Sequence, residues 1–360
     1  MQQLFLELLN IAIGNSDCLS RIPSESEWSQ LFAISKQQAV LGFCYTALSK
    51  LPKEQFPPQS IYLQWLAFYN IISKRNQLLN DRCAQLQQKL QDDGFKHIAF
   101  LKGQTNAVRY PDPFCRQCGD IDVWVEGGKD FVVDYVTKKY PTDRAFGEHV
   151  DYNLFSDVII ELHFRVGFEV PKPIKKKVFP YFQSVQEKDF PALTLPNGKN
   201  ITVLDRETNL IHQIVHVVHH VNCGGIGLRQ FIDYYFLLKD AKKNDVDFKK
   251  VHQIIKQINL LNYASAVMYV LVTLFHLPDD LLICKPNAWR GKFLIREIFN
   301  GGNFGHYNNF SKVNRKRNFF VRKICGFLYQ SRFLPYFPYT TLRYYYQLIK
   351  RIINKIIKFK

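Results

Sequence analysis

Apolar residues recur at spacings of three and four along the first part of the chain, as is typical of amphipathic helices. The pattern covers residues 28–48 and 61–90, and the proline-containing segment 52–59 separates the two runs. A polar cluster and then Gly94 follow the second run, and glycine accepts the left-handed conformation that ends helices. The sequence therefore predicts a helical region over residues 1–94.

A strand-like pattern begins immediately afterwards. HIAFL at 97–101 is a short apolar run of strand length, followed by a Lys-Gly turn and a helix start. DIDVWV at 120–125 alternates acidic and apolar residues and predicts a second strand. The runs 150–155 and 158–164 are separated by two polar residues and predict an antiparallel hairpin. These elements predict an α/β core.

A further hairpin and a series of helices are predicted to complete the chain. Asn197-Gly198 lies between two apolar flanks, which is a strong hairpin signal. Asp205 is suited to cap a helix that runs to about residue 221. The pattern as a whole predicts an α+β fold with a mixed β-sheet core between N-terminal and C-terminal helical subdomains. The predicted regions are helical 1–94, the α/β core 95–204, a helical subdomain 205–310 and a basic, aromatic helical tail 311–360.

Composition and charge narrow the class of protein. The chain has 360 residues, of which 47% are hydrophobic, so it is globular rather than disordered. Its net charge is +17, but residues 311–360 hold thirteen Lys or Arg and no acid, which leaves only +4 for the rest. Eight irregularly spaced cysteines favour a reducing compartment, and we expect the cytoplasm. The longest apolar run, 263–275, is too short to span a membrane.

Three carboxylates on predicted strands are the main candidate for chemistry. Asp120 and Asp122 are two apart, so we expect them on one face of their strand, where they could hold a hard cation. Glu161 lies in an otherwise apolar strand, where a carboxylate is costly unless it is paired or binds metal. Lys102 and Gly103 lie between a strand and a helix start, a place that favours phosphate. This combination predicts metal-assisted nucleotidyl transfer.

The segments that carry these residues resemble a known family. LKGQTNAVRYPDPFCRQCGDIDVWV, VIIELHF and the later GGIGLRQFIDYYFLL are similar to a bacterial nucleotidyltransferase-like family with a KG, R-x-x-G-D-I-D and E-L-H signature. That family is a branch of the DNA polymerase β superfamily, and some members come from polysaccharide-gene neighbourhoods. The resemblance covers about residues 20–280. It implies a nucleotidyltransferase-like core, an NTP substrate and Mg²⁺ or Mn²⁺ as cofactor.

The resemblance also implies roles for individual residues. Asp120, Asp122 and Glu161 would be the catalytic carboxylates and metal ligands. Gly103 would be the glycine of the triphosphate loop, and Gln104 follows it where the wider superfamily has Ser or Gly. Lys102 and Arg116 match recurring basic positions that suit phosphate.

Histidines and cysteines offer alternatives. His212, His216, His219 and His220 form one stripe of a predicted helix, and with Cys115 and Cys118 they could assemble a zinc site. We favour a polar stripe that faces the cleft between subdomains. A further alternative is that His216 or His220 contacts the phosphates or the acceptor. His163 is either a partner of Glu161 or a satisfied core histidine. Arg229 either pairs with Asp233 along one helix face or reaches the cleft.

The basic tail allows three interpretations. It could be a terminal subdomain packed on the core, an amphipathic surface that binds anionic lipid, or a surface that binds RNA. We rank nucleic acid below lipid as a partner. Lipid binding would place the protein at the inner face of the membrane. The function predicted overall is Mg-dependent transfer of a nucleoside monophosphate from an NTP to a hydroxyl acceptor. The alternative is a catalytically silent nucleotide-binding or regulatory protein with the same fold.

Overall fold

The computed structural model describes the backbone of most of the chain. The described residues are 1–140, 142, 145, 147–167, 170–223, 225–308, 310, 313 and 316–357. Side chains are described at the same positions except 222, 223, 304, 319, 320, 340, 351, 352 and 354–357. Parts of the predicted tail, at 311, 312, 314, 315 and 358–360, therefore lie outside the described residues.

Helices and two small sheets alternate along the chain. The helices are α1 Gln2–Ile13, α2 Glu25–Gln37, α3 Leu41–Leu48, α4 Gln59–Asp92, α5 Gln104–Ala107, α6 Gly128–Lys139, α7 Lys172–Gln186, α8 Arg206–Cys223, α9 Leu228–Lys243, α10 Phe248–Gln257, α11 Leu261–Phe275, α12 Ala288–Gly301, α13 Phe319–Ser331 and α14 Pro338–Ile357. The strands are β1 Ile98–Phe100, β2 Ile121–Val125, β3 His149–Asp151, β4 Ile160–His163, β5 Ala192–Thr194 and β6 Asn200–Thr202. The chain therefore has the α+β composition predicted from its sequence.

The N-terminal region is helical, as predicted, but its first apolar run is divided. Ala39 adopts a φ of 56° between α2 and α3, so the pattern over 28–48 belongs to two helices rather than one. The second run forms the 34-residue α4. Gly94 has a φ of 94° just beyond α4, which agrees with its predicted role in ending that helix.

The main sheet is mixed, with strand order β1-β2-β4-β3. β2 and β4 are parallel, whereas β1 pairs with β2 and β3 with β4 in antiparallel fashion. The predicted hairpin of the third and fourth strands is therefore confirmed. The prediction that Asp120 lies within a strand is wrong, because β2 begins one residue later at Ile121.

The two faces of this sheet have different chemistry because side chains alternate along each strand. Val123 and Leu162 are buried among apolar residues of α4 and α6, including Leu86 and Val132. Asp122 and Glu161 occupy the opposite face, together with His163 on β4. The polar face is the one that can meet a substrate.

The remaining elements hold the sheet in place. Strands β5 and β6 form the predicted hairpin around the Asn197-Gly198 turn. Asp205 caps α8 through a hydrogen bond from the Thr208 amide at 2.9 Å, as predicted. Helices α1–α4 and α7–α12 share one apolar core, and Asn10 of α1 donates to the Leu274 carbonyl oxygen of α11 at 2.9 Å. Among the described residues, none of the helices has both the length and the apolar character needed to cross a bilayer.

Candidate active site

A cavity of about 350 Å³ opens between the polar face of the main sheet and helices α8 and α9. The strands contribute carboxylates and histidines, the turn after β1 contributes Lys102 and Gly103, and the helices contribute further histidines and Arg229. All of the predicted site residues except Gln104 line this cavity. They are Lys102, Gly103, Arg116, Asp120, Asp122, Glu161, His163, His216, His220 and Arg229.

The three predicted carboxylates converge at one end of the cavity. The parallel register of β2 and β4 sets Asp122 directly beside Glu161. Asp120, in the loop that leads into β2, completes a set in which one oxygen of each carboxylate lies within 4.8 Å of the others. Such a cluster of hard oxygen ligands suits Mg²⁺ or Mn²⁺.

Lys102 balances part of this negative charge. It follows β1, and its ammonium lies 2.8 Å from Oδ1 of Asp122, whose side chain is buried. Burial alone would disfavour the ammonium, but Asp122, Asp120 and Glu161 together hold the pKa of Lys102 above its ordinary value. The same contact helps to hold the pKa of Asp122 far below the usual range, against the opposing effect of burial.

His163 supplies a second positive charge. Its Nε2 lies 3.1 Å from Oδ1 of Asp122 and 3.4 Å from Oε2 of Glu161. Burial opposes protonation, yet the two carboxylates raise the pKa of His163 to about 9. His149, its cross-strand neighbour on β3, places Nδ1 3.7 Å from Oε2 of Glu161. His163 is therefore a direct partner of both carboxylates.

The pKa of Asp120 is shifted in the opposite direction to that of Asp122. The charge of Asp122 and then burial raise the pKa of Asp120, and Lys102 offsets them only in part. Three carboxylates facing two cationic side chains leave an unbalanced negative charge at this end of the cavity. A divalent cation would relieve that repulsion.

The turn between β1 and α5 brings backbone close to the carboxylates. Gly103 has φ 62° and ψ −114°, a conformation that L-residues rarely adopt. A Cβ at this position would lie 3.5 Å from the Asp120 carbonyl oxygen, which is ordinary contact. The glycine is therefore required by the backbone conformation rather than by lack of space.

Gln104 was predicted to bind nucleotide, but it does not line the cavity. Its buried amide donates to the Asn76 carbonyl oxygen and to Oδ1 of Asn80, both on α4. Asn76 in turn donates to the carbonyl oxygens of Phe114 and Arg116 at 2.9 and 2.8 Å. These side chains fix the turn after β1 and the loop before β2 against one helix, which explains a polar residue at position 104.

Arg116 borders the cavity, but its guanidinium pairs with a buried carboxylate of the protein. Nε and Nη2 each lie 2.7 Å from a different oxygen of Asp233 on α9, and Tyr110 donates to the same carboxylate at 2.7 Å. Arg116 and Asp233 are 5% and 2% exposed. This buried bidentate pair joins the loop before β2 to α9. Sequence analysis predicted a phosphate contact for Arg116 and did not predict this pairing.

The histidine stripe of α8 forms the wall across from the carboxylates. His212, His216, His219 and His220 all line the cavity, and Nε2 of His216 lies 2.8 Å from Nε2 of His220. Burial holds the pKa of His216 and of His220 well below the ordinary value and lowers that of His212 to about 3. The imidazoles of His212, His216 and His220 are therefore neutral at pH 7. The prediction that the stripe faces a cleft agrees with this placement.

Arg229 reaches the cavity from the first turn of α9. Its Nη1 donates to the Gln117 carbonyl oxygen, in the loop before β2. Burial and the nearby charge of Arg116 lower its pKa. Arg229 therefore helps to fix that loop while its side chain borders the cavity.

The alternative zinc site does not form among the side chains that the structure describes. The only described clusters with metal-binding spacing are Asp120, Asp122 and Glu161, and His149, Glu161 and His163, so neither contains a thiol. Cys115 is buried, and burial raises its pKa well above the ordinary value, which disfavours a thiolate ligand.

Sequence analysis missed one residue and one contact of the site. His149 was missed, although it lies two residues before Asp151 on a strand that pairs with β4, and this alternation was a usable signal. The pairing of Asp233 with Arg116 joins residues 117 positions apart. No local pattern could have indicated that contact.

Comparison with known protein families identifies the family of this chain. Residues 24–276 match the family described as uncharacterised nucleotidyltransferase, a range that contains every residue named above as lining the cavity. The chain shows no significant match to a curated protein or to a solved structure. Because the family match extends over more than half of the chain, this protein belongs to that nucleotidyltransferase family.

Proposed function

We propose that the protein is a Mg²⁺- or Mn²⁺-dependent enzyme that transfers a nucleoside monophosphate from an NTP to a hydroxyl acceptor. One observation carries the proposal: the carboxylate oxygens of Asp120, Asp122 and Glu161 converge within 4.8 Å of one another in a cavity that also holds Lys102 and Gly103. Family membership supports nucleotidyl transfer in general. The metal, the NTP and the hydroxyl acceptor are our proposal.

The donor set fits a hard divalent cation. Asp120, Asp122 and Glu161 would hold it, and when bound it would neutralise charge on the triphosphate oxygens. Lys102 lies beside these carboxylates and would add a positive charge for phosphate. Gly103 would let the backbone approach the triphosphate without a side chain.

The reaction would form one bond to phosphorus and break another. The acceptor oxygen would attack the α-phosphorus, the bond from that phosphorus to the bridging oxygen would break, and pyrophosphate would leave. The hydroxyl proton would pass to one of the three carboxylates. His163, which is protonated at pH 7, would orient Asp122 and Glu161 through its contacts at 3.1 and 3.4 Å.

A second candidate function is nucleotide binding without transfer. It is favoured by the two contacts to Oδ1 of Asp122, since Lys102 and His163 already stabilise that carboxylate when no cation is present. A protein of this kind would bind NTP through Lys102 and Gly103 and would release it unchanged.

Labelled NTPs incubated with cell extract and Mg²⁺ or Mn²⁺ distinguish these functions. We expect the wild type to transfer label to an acceptor and the double variant Asp120→Asn, Asp122→Asn to transfer none. The matched control is Asp130→Asn, Asp134→Asn, which removes two exposed carboxylates from α6 and should keep full activity. NTP binding without transfer, in every acceptor fraction tested, would favour the silent protein instead.

A further inference from the structure

The last two described helices form an antiparallel hairpin, defined here as the C-terminal hairpin, residues 319–357. Thr341 of α14 donates to the Gln330 carbonyl oxygen of α13, and the ring of Tyr345 stacks on that of Phe327 with centroids 3.9 Å apart. The contacts advance in opposite directions along the two helices. The start of α13 therefore lies at the same end of the hairpin as the last turns of α14.

The hairpin is held on the protein body by its connecting turn. Phe333 and Phe337 are buried in the main apolar core, and Tyr263 of α11 stacks on Phe337. Arg332 pairs with Glu297 of α12 at 2.6 Å. Helix α14 also contacts α7 and α8, and α8 is a wall of the cavity. The position of the hairpin relative to the candidate active site is therefore fixed by packing.

Each helix of the hairpin nevertheless carries an exposed apolar stripe. On α14 the stripe recurs at spacings of three and four, as on one face of a helix. A similar stripe runs along α13. Its members are Tyr339, Leu342, Tyr346, Ile349 and Ile353 on α14, and Val321, Ile324 and Leu328 on α13. Exposed apolar side chains in such a continuous arrangement indicate an interaction surface.

The C-terminal segment that contains the hairpin is positively charged. Residues 311–360 contain thirteen Lys or Arg and no Asp or Glu. Lys316 and Arg317 are exposed just before α13, and Lys350 is exposed near the end of α14, so these cations gather at the open end of the hairpin. The surface thus combines apolar stripes with a net positive charge.

We infer that the C-terminal hairpin binds the surface of an anionic lipid bilayer, with its apolar stripes in the acyl boundary and its cations at the headgroups. Charge complementarity selects this partner. A second copy of the chain would bring like charges together across the stripes, which opposes self-association. RNA would use cations and aromatic rings but would leave the aliphatic residues of both stripes in water. This inference does not depend on the nucleotide chemistry.

Sedimentation with vesicles tests the inference on the full chain. The vesicles consist of phosphatidylcholine alone or mixed with phosphatidylglycerol. We expect sedimentation with the mixed vesicles only, weakened by added salt because salt screens the cations. The variant Ile324→Asp, Leu328→Asp, Leu342→Asp, Ile349→Asp should reduce the partition coefficient at least about tenfold. Lys316→Gln, Arg317→Gln, Lys350→Gln should reduce both the binding and its salt dependence.

The control is Ile71→Asp, which places one aspartate at an exposed apolar position on α4, outside the hairpin, and should bind like the wild type. Circular dichroism establishes that each variant is folded. The inference is overturned if the wild type ignores mixed vesicles, or if the four-residue variant binds as the control does. It is also overturned if that variant abolishes a dimer of the wild type in sedimentation velocity, or if the wild type binds single-stranded RNA but does not bind mixed vesicles.

Discussion

The ammonium of Lys102 and Oδ1 of Asp122 lie 2.8 Å apart, at the point where the turn after β1 meets the second strand. The Asp122 side chain is almost fully buried, so its charge is stabilised by Lys102 together with His163. This contact joins the predicted phosphate-binding turn to the predicted metal ligands. A cation and a triphosphate bound here would compete with it for the Asp122 carboxylate.

A double-mutant cycle measures this contact. Lys102→Met and Asp122→Asn should each lower the free energy of unfolding, because each removes one partner of a contact that involves the buried Asp122 carboxylate. The double variant should lose less than the sum of the two, with a coupling of about 1–3 kcal/mol. Chemical denaturation of the four proteins without divalent cations gives this value. Additive losses would show that the contact contributes nothing to folding.

Protonation of His163 should make stability depend on pH. Its pKa is raised from 6.5 to about 9, so the folded state binds the proton more tightly than the unfolded chain. The resulting stabilisation is complete below pH 6.5 and is lost as the pH rises towards 9, a change on the order of 1–3 kcal/mol. Urea denaturation in metal-free buffer between pH 6 and 9.5 measures it. His163→Gln should show a flatter profile, and an unchanged slope would contradict the assignment to His163.

The melting temperature of an Asp120 variant should show whether a cation binds at the carboxylates. Its pKa is raised by the charge of Asp122 and by burial, so the ionised carboxylate is unfavourable in the folded state at neutral pH. Asp120→Asn should therefore raise the melting temperature without metal. Mg²⁺ or Mn²⁺ should raise the melting temperature of the wild type but not of this variant. The Asp134→Asn protein, altered on the surface of α6, is the control and should respond as the wild type does.

Gly103→Ala should weaken nucleotide binding through the backbone. Alanine at φ 62° and ψ −114° is strained, so stability should fall by about 1–2 kcal/mol. Gly198→Ala is the matched control, because Gly198 has a φ of 76° in the distant β5–β6 turn. Both variants should lose stability, but only Gly103→Ala should lose NTP affinity in equilibrium dialysis. Equal affinities would remove Gly103 from the binding site.

Arg116→Lys separates an internal role from phosphate binding. Lysine cannot reproduce the two contacts with Asp233, so stability should fall by about 3 kcal/mol. Affinity for NTP should change little at a temperature where the variant is folded. A variant with wild-type stability and greatly reduced affinity would show that Arg116 serves phosphate instead.

The sequence by itself determined the local elements and the chemical types of the site. A short apolar run predicted the strand near Phe100, and alternation predicted the strand near Val123. The Asn197-Gly198 turn predicted the second hairpin, and Asp205 marked the start of α8. These features depend on neighbouring residues, whose spacing is visible in the chain. The Asp120, Asp122 and Glu161 set was also recognisable, because carboxylates within apolar strands or directly before them are unusual.

Only the tertiary structure decided how these residues meet. The parallel pairing of β2 with β4 places Asp122 beside Glu161, and the packing of α4 turns Gln104 away from the cavity. Asp233 pairs with Arg116, which lies 117 positions away in the sequence. Strand order and helix packing join distant segments, and the local apolar pattern is compatible with several such arrangements. The direction of a polar side chain therefore depends on partners that its own neighbourhood does not specify.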